Sequence, residues 1–170
     1  EKLDKAFITM SCTNLSGYLA KFQGDVAEVI LTDFDEHKVY DALWENLDKK
    51  VKLVLPKSVT EIETMATETN LVSIEMPGVI SIGVDAFNQC TGLVQITLSD
   101  NLTNIGKEAF LECTSLEQIT IPSSVTILGD NLFKKCTKLK SITILGDPEI
   151  KDFRSRDDYN YCPDGTVINV

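Results

Sequence analysis

Along most of this chain, apolar and polar residues alternate in short bursts. Ile96-Thr97-Leu98, Ile119-Thr120-Ile121 and Ile142-Thr143-Ile144 each put two aliphatic side chains on one side and a threonine on the other. That is the two-residue period of a strand. Pro122-Ser123-Ser124 follows the second burst, and Pro122 has no N–H to give to a ladder, so the strand stops there. Val125 and Ile127 then return apolar groups inward, and Gly129 permits a tight bend. The run from Asn131 to Cys136 fits about one and a half helical turns, with Leu132, Phe133 and Cys136 on one side. Leu139 leads into the next strand. The predicted unit is a strand, a turn, a short irregular or helical return, and a strand again.

The unit recurs. Gly83, Gly106 and Gly129 correspond, as do Phe87, Phe110 and Phe133, and Cys90, Cys113 and Cys136, each 23 residues after the last. Leu93, Leu116 and Leu139 keep the same step. A fixed period of this length is the mark of a solenoid. One coil cannot bury its own strand residues and its Phe, but stacked coils can. The constant letters therefore point into the stack and the variable ones to water, and strands of neighbouring coils pair in parallel about 4.8 Å apart.

Worn copies flank the clear ones. Leu53 to Ile62 matches the strand and turn, but its return, from Glu63 to Leu71, is two residues shorter and lacks both Phe and Cys. Cys162 to Val170 copies the spacing of Cys136 to Ile144 and would carry Ile168 and Val170 inward. Residues 51–170 thus read as about five coils, the first and last degenerate, as expected where a coil must cover an end. Residues 1–50 read differently. Leu15, Tyr18, Leu19 and Phe22 lie on one helical face, Ala27 to Leu31 forms a strand, and Val39, Tyr40, Leu43, Trp44 and Leu47 share a second helical face. This strand–helix–strand segment is expected to be an N-terminal α/β cap within the same structural domain.

Charge and candidate chemistry narrow the functions. The net charge is −10 and the lysines and arginines form no stripe, which argues against nucleic acid. No apolar run is long enough to span a membrane. Residues 1–5 lack the shape of an export signal. His37 is the only histidine, so a Ser-His or Cys-His pair would have to use it, and it sits between Glu36 and Lys38 as a solvated residue would. Five cysteines include no Cys-x-x-Cys pair, and three of them are explained by the repeat as buried apolar residues. No cofactor, metal site or catalytic residue is expected.

The pattern Leu-x-x-Ile-x-Ile-Pro, then Val-x-x-Ile-Gly-x-x-Ala-Phe-x-x-Cys-x-x-Leu, resembles the leucine-rich repeat of the BspA-like, or Treponema pallidum, type. The copy with Ala109, Phe110, Cys113 and the pair Ile121-Pro122 carries the likeness most fully. The resemblance implies an α/β solenoid, a leucine-rich repeat with a parallel concave sheet. It implies a secreted, periplasmic or surface-displayed bacterial protein associated with adhesion to host, matrix or other surface proteins. In such repeats partners dock on the concave face. On this chain the outward strand positions are Lys52, Val54, Ser73, Glu75, Gln95, Thr97, Gln118, Thr120, Ser141 and Thr143. The loop bearing Arg154, Arg156, Tyr159 and Tyr161 offers residue types common at contact hot spots and is a secondary candidate. The competing reading is a self-assembling, homo-oligomeric scaffold without enzymatic activity.

Overall fold

The computed structural model describes residues 5–8, 26–31, 38–39, 50–146 and 165–169. Every strand pairing in it is parallel. Among the described residues, the coils that begin at Val26, Lys50, Leu71, Gln95 and Gln118 each contribute two strands, one to a broad sheet and one to a narrow sheet, and the core lies between them. The broad-sheet strands are β1 (Lys5–Ile8), β2 (Val26–Leu31), β4 (Lys50–Val54), β6 (Leu71–Glu75), β8 (Gln95–Thr97), β10 (Gln118–Ile121), β12 (Ser141–Ile144) and β13 (Val167–Asn169). The narrow-sheet strands are two residues each: β3 (Lys38–Val39), β5 (Glu61–Ile62), β7 (Ser81–Ile82), β9 (Asn104–Ile105) and β11 (Ile127–Leu128). The broad sheet runs in two ladders, β1-β2-β4-β6-β8 and β10-β12-β13, whereas β3-β5-β7-β9-β11 is continuous. The architecture is a parallel-sheet solenoid of stacked coils.

Burial follows the expected alternation. In β10 the pattern is exposed, buried, exposed, buried, with Ile119 and Ile121 inside and Gln118 and Thr120 outside. Columns run up the stack because the coils are in register: Ile74 pairs with Ile96, and Ile119 with Ile142. Phe87, Phe110 and Phe133 form another column, their rings stacked at 5.5 and 5.6 Å. The worn coil lacks this Phe, and Met65 fills the slot. Its N–H bonds Ala86 as the N–H of Phe87 bonds Ala109, and Met65 is fully buried. An unbranched thioether adapts to the shape left by a shorter return.

Several local expectations are corrected. The return is not helical. It is a chain of turns in which Asp85, Glu108 and Asn131, then Gln89, Glu112 and Lys135, adopt left-handed φ between 56° and 62°. The left-handed residues let N–H groups of one coil reach carbonyls of the next, as Gln89 to Leu111 and Glu112 to Lys134 do. An α-helix would spend those groups within the coil. Gly129 is not required for a bend, since its φ is ordinary. A Cβ there would lie 2.5 Å from the carbonyl carbon of Gly106, and Gly106 meets Gly83 the same way. Glycine recurs at this position because successive backbones nearly touch. Ile127 does not return inward. It is 63% exposed, because Leu128 continues the inward column of Ile82 and Ile105.

Near the N-terminus, β1 and β2 extend the broad sheet and β3 extends the narrow one. Val39, expected on a helix, lies in β3. The helix expected over residues 15–22, the rest of the second one, His37, Trp44, Cys12 and Cys162 fall outside the described residues, and no helix occurs among those described. At the other end, Ile168 occupies the inward column above Ile142 yet is 38% exposed, because among the described residues no further coil covers it.

Candidate interaction surface

Two outward rows cross the broad sheet. The first runs Glu28, Lys52, Ser73, Gln95, and after the break Gln118, Ser141, Val167. The second runs Ile30, Val54, Glu75, Thr97, then Thr120, Thr143, Asn169. Lys52, Glu75, Gln95, Thr97, Gln118 and Thr120 are exposed, and Val54, Ser73, Ser141 and Thr143 are half-buried. All ten candidate residues therefore share one face. Arg154, Arg156, Tyr159 and Tyr161 lie outside the described residues.

The rows are not uniform. Between β2 and β8 the face sinks into a depression of ≈400 Å³, lined by Glu28, Lys52, Val54, Ser73, Glu75 and Gln95 and by two residues that alternation did not single out, Val72 and Val94. Val72 arrives there through a β-bulge. The register slips between Val51 and Lys52, so that Val51 pairs with Leu71 but Lys52 with Ser73. The extra residue breaks the alternation of β6, whose burial runs buried, half-buried, half-buried, buried, exposed. Val94 sits just before β8, with its N–H 2.8 Å from the carbonyl of Val72, and is exposed. Beyond β8 the outward rows carry mostly amide and hydroxyl groups, from Gln118 and Thr120 to Ser141 and Thr143.

Side chains also tie coils together along the flanks. Glu117 holds Lys140 at 2.7 Å, and Glu112 pairs with Lys135, each across one coil. The carboxyl of Glu117 is held below the usual range by its hydrogen bond from the Lys140 ammonium and by that ion's charge. Asn131 donates to Glu108 at 3.2 Å and lowers that carboxyl likewise. Inside, the thiols of Cys90, Cys113 and Cys136 donate to the carbonyls of Met65, Phe87 and Phe110 at 3.0, 3.1 and 3.0 Å. Burial pushes the Cys113 thiol well above its ordinary value, and the neighbouring Cys90 and Cys136 add to that. These thiols stitch coils and are unsuited to nucleophilic chemistry. Among the described residues no group of His, Cys, Asp and Glu is placed to hold a metal ion. No helix there is long and apolar enough to cross a membrane.

Stacked coils with one broad-sheet strand each, an aliphatic and aromatic interior and an open polar face define a leucine-rich repeat solenoid. Such solenoids serve as scaffolds for protein–protein contact. This chain belongs to the BspA-type leucine-rich repeat family: the model of the BspA type leucine rich repeat region, in six copies, matches residues 66–156. It is similar to a leucine-rich repeat protein from Bacteroides capillosus ATCC 29799, with 32% identity over 69% of this chain and 86% of that one, at a TM-score of 0.52. A leucine-rich repeat protein from Bacteroides ovatus ATCC 8483 is 25% identical, with a TM-score of 0.64 over 98% of this chain and 42% of that one. A leucine rich cell surface protein from Faecalibacterium prausnitzii A2-165 shares the fold at 22% identity and a TM-score of 0.51, over 87% of this chain and 45% of that one. The chain spans less than half the length of the last two. No curated protein matches it in sequence.

Proposed function

We propose that this chain is an extracytoplasmic interaction module, secreted or displayed on a bacterial surface, that holds another protein on the outer face of its broad sheet. The observation that carries the reading is the depression around Val54, Val72 and Val94, where three valines cluster on a face whose other outward residues are mostly polar. An apolar centre within a polar surround is the layout of a protein-binding patch. Polar rows from Gln95 and Thr97 to Ser141 and Thr143 extend the patch along the stack. Membership of the BspA-type family supports export and a role in adhesion to host, matrix or neighbouring-cell proteins, and a scaffold needs no catalysis for that role.

Biolayer interferometry against purified fibronectin, laminin, collagen and fibrinogen tests it. The chain is expected to bind at least one, with weak dependence on salt because the face is largely neutral. Val94→Asp and Thr120→Arg, both at exposed positions, should each weaken binding about tenfold or more at an unchanged melting temperature. Ile127→Asp, on the narrow sheet, should leave it intact. Binding to none of the four, or equal loss from Ile127→Asp, would defeat the reading.

A further inference from the structure

Backbone bonds join successive coils in regular series, and two of these series fail at one place. At the strand ends of the broad sheet, the N–H of Leu55 bonds the carbonyl of Glu75 at 2.9 Å, and the N–H of Met76 bonds the carbonyl of Thr97 at 3.2 Å. At the strand starts, Val94 donates to Val72 and Lys140 to Glu117, both at 2.8 Å. The bonds that would continue these series, from Leu98 to Thr120 and from Glu117 to Val94, are not formed, and β8 and β10 belong to separate ladders. A third bond is chemically barred. Leu145 donates to the carbonyl of Ile121 at 3.0 Å, but Pro122, one coil earlier, has no N–H to give. The gap is local. Just before it Gln89 donates to Leu111 at 2.8 Å and the Cys113 thiol to Phe87 at 3.1 Å, and just after it Thr126 donates to Thr103 at 2.9 Å. The broad sheet therefore has a slit that is held on both flanks, with Ile96 on its inner side at 7% exposure.

The valine depression ends at β8, and the rows of Gln118 and Thr120 begin at β10. A protein seated on both covers the slit and strips water from its backbone groups. Buried N–H and C=O groups without partners are costly, and here each has its natural partner one coil away. We infer that the slit is the moving part of this face: it closes into a continuous ladder when a protein seats across it, so that binding and sheet pairing are linked. The inference rests on the reading that a protein is held on this face. A ligand that prefers the closed form draws the chain into it, and a chain already closed binds that ligand more tightly by the same factor. Closure brings Gln118 and Thr120 into step with Gln95 and Thr97, so that the outward rows run unbroken across the junction.

The test uses the full 170-residue chain and two selected monobodies. The first binds the chain and loses binding on both Val94→Asp and Thr120→Arg, so it straddles the slit. The second loses binding on Val94→Asp and is indifferent to Thr120→Arg, so it sits on the depression alone. Scalar couplings across hydrogen bonds, read by NMR on the labelled chain, report which backbone bonds exist. In the free chain the coupling from Lys140 to Glu117 should appear, and those from Glu117 to Val94 and from Leu98 to Thr120 should not. The straddling monobody should bring out both missing couplings, and the second monobody neither. Both couplings present in the free chain, both absent from the straddling complex, or both produced equally by the second monobody would each overturn the inference. No matrix protein takes part, so this test can fail while the proposed function stands, and succeed where that function fails.

Discussion

The rings of Phe87 and Phe110 stack face to face across one coil, their centroids 5.5 Å apart and their planes 9° from parallel. Phe110 repeats the contact with Phe133 at 5.6 Å and 4°. Parallel rings at this spacing follow from the coil spacing of a parallel sheet, which leaves each Phe in the same rotamer as the one below. Phe110 thus has a ring on both sides and is fully buried. Phe110→Ala should cost about 3–5 kcal/mol in urea unfolding. Phe110→Leu keeps most of the buried area and should cost distinctly less. Equal costs would mean that the bulk leucine retains counts for nothing here and that the whole loss comes from the ring stack.

The thiol column makes stability sensitive to alkali. Burial holds Cys113 neutral in the fold, while in the unfolded chain the thiol ionises near its ordinary value. Because the folded value is raised, the contribution is complete below the unfolded pKa, about 8.5–9, and is lost as pH climbs beyond it. The urea midpoint should fall between neutral pH and pH ~10. Cys113→Ala should be less stable at neutral pH but show a shallower alkaline decline. An unchanged decline would assign the slope to other groups.

At the repeat glycines Gly83, Gly106 and Gly129 glycine and left-handed backbone are decoupled, and the two can be tested against each other. Gly106 has ordinary φ but no room, so Gly106→Ala should destabilise by about 1–3 kcal/mol through overpacking against Gly83. Gln89 has room at an exposed turn but a φ of 59°. Gln89→Val should destabilise by about 1–2 kcal/mol, because a β-branched side chain crowds a left-handed backbone. Gln89→Gly should be neutral or stabilising. Thermal melts that rank Gly106→Ala above wild type, or Gln89→Val equal to Gln89→Gly, would contradict this account of the return segment.

These positions also mark where the sequence was legible. The columns of Phe, Cys, Leu and Ile could be read directly, since any residue that must face the same neighbour in every coil is held constant by packing. The outward rows followed by subtraction, and each of the ten residues on them lies on one face. The return segment could not be read as reliably. Glu108, Gln89, Glu112 and Lys135 carry no signal for left-handed backbone, Asp85 and Asn131 carry only a weak one, and the repeat glycines Gly83, Gly106 and Gly129 serve close approach instead. Ile127 and Leu128 offered two adjacent aliphatics for one inward slot, and only pairing with Asn104 and Ile105 decides between them. Val72 was hidden for a related reason. A bulge changes which side a residue faces without changing its letter, so the apolar centre of the candidate site emerged only with the register.

The ladder break has a consequence for exchange. With β8 and β10 in separate ladders while β9 and β11 remain paired, the broad sheet is less tightly closed there than the narrow one. Ile96, at 7% exposure, is the least covered member of the buried core. Amides of residues 118–121 should exchange hydrogen faster than those of 141–144, whose strand is flanked on both sides. Equal or slower exchange at 118–121 would show the broad sheet to be continuous in solution.

The most direct test of the whole arrangement is thiol labelling at neighbouring positions of one strand. In a chain with Cys12 and Cys162 replaced by Ser, Ile119→Cys and Thr120→Cys place a thiol at adjacent residues on opposite sides of β10. A maleimide should react with the thiol at 120 at close to the rate of an unfolded control, and with the thiol at 119 at least about a hundredfold more slowly, through opening alone. Comparable rates at the two positions, with the fold intact, would contradict the division into a buried column and an open face.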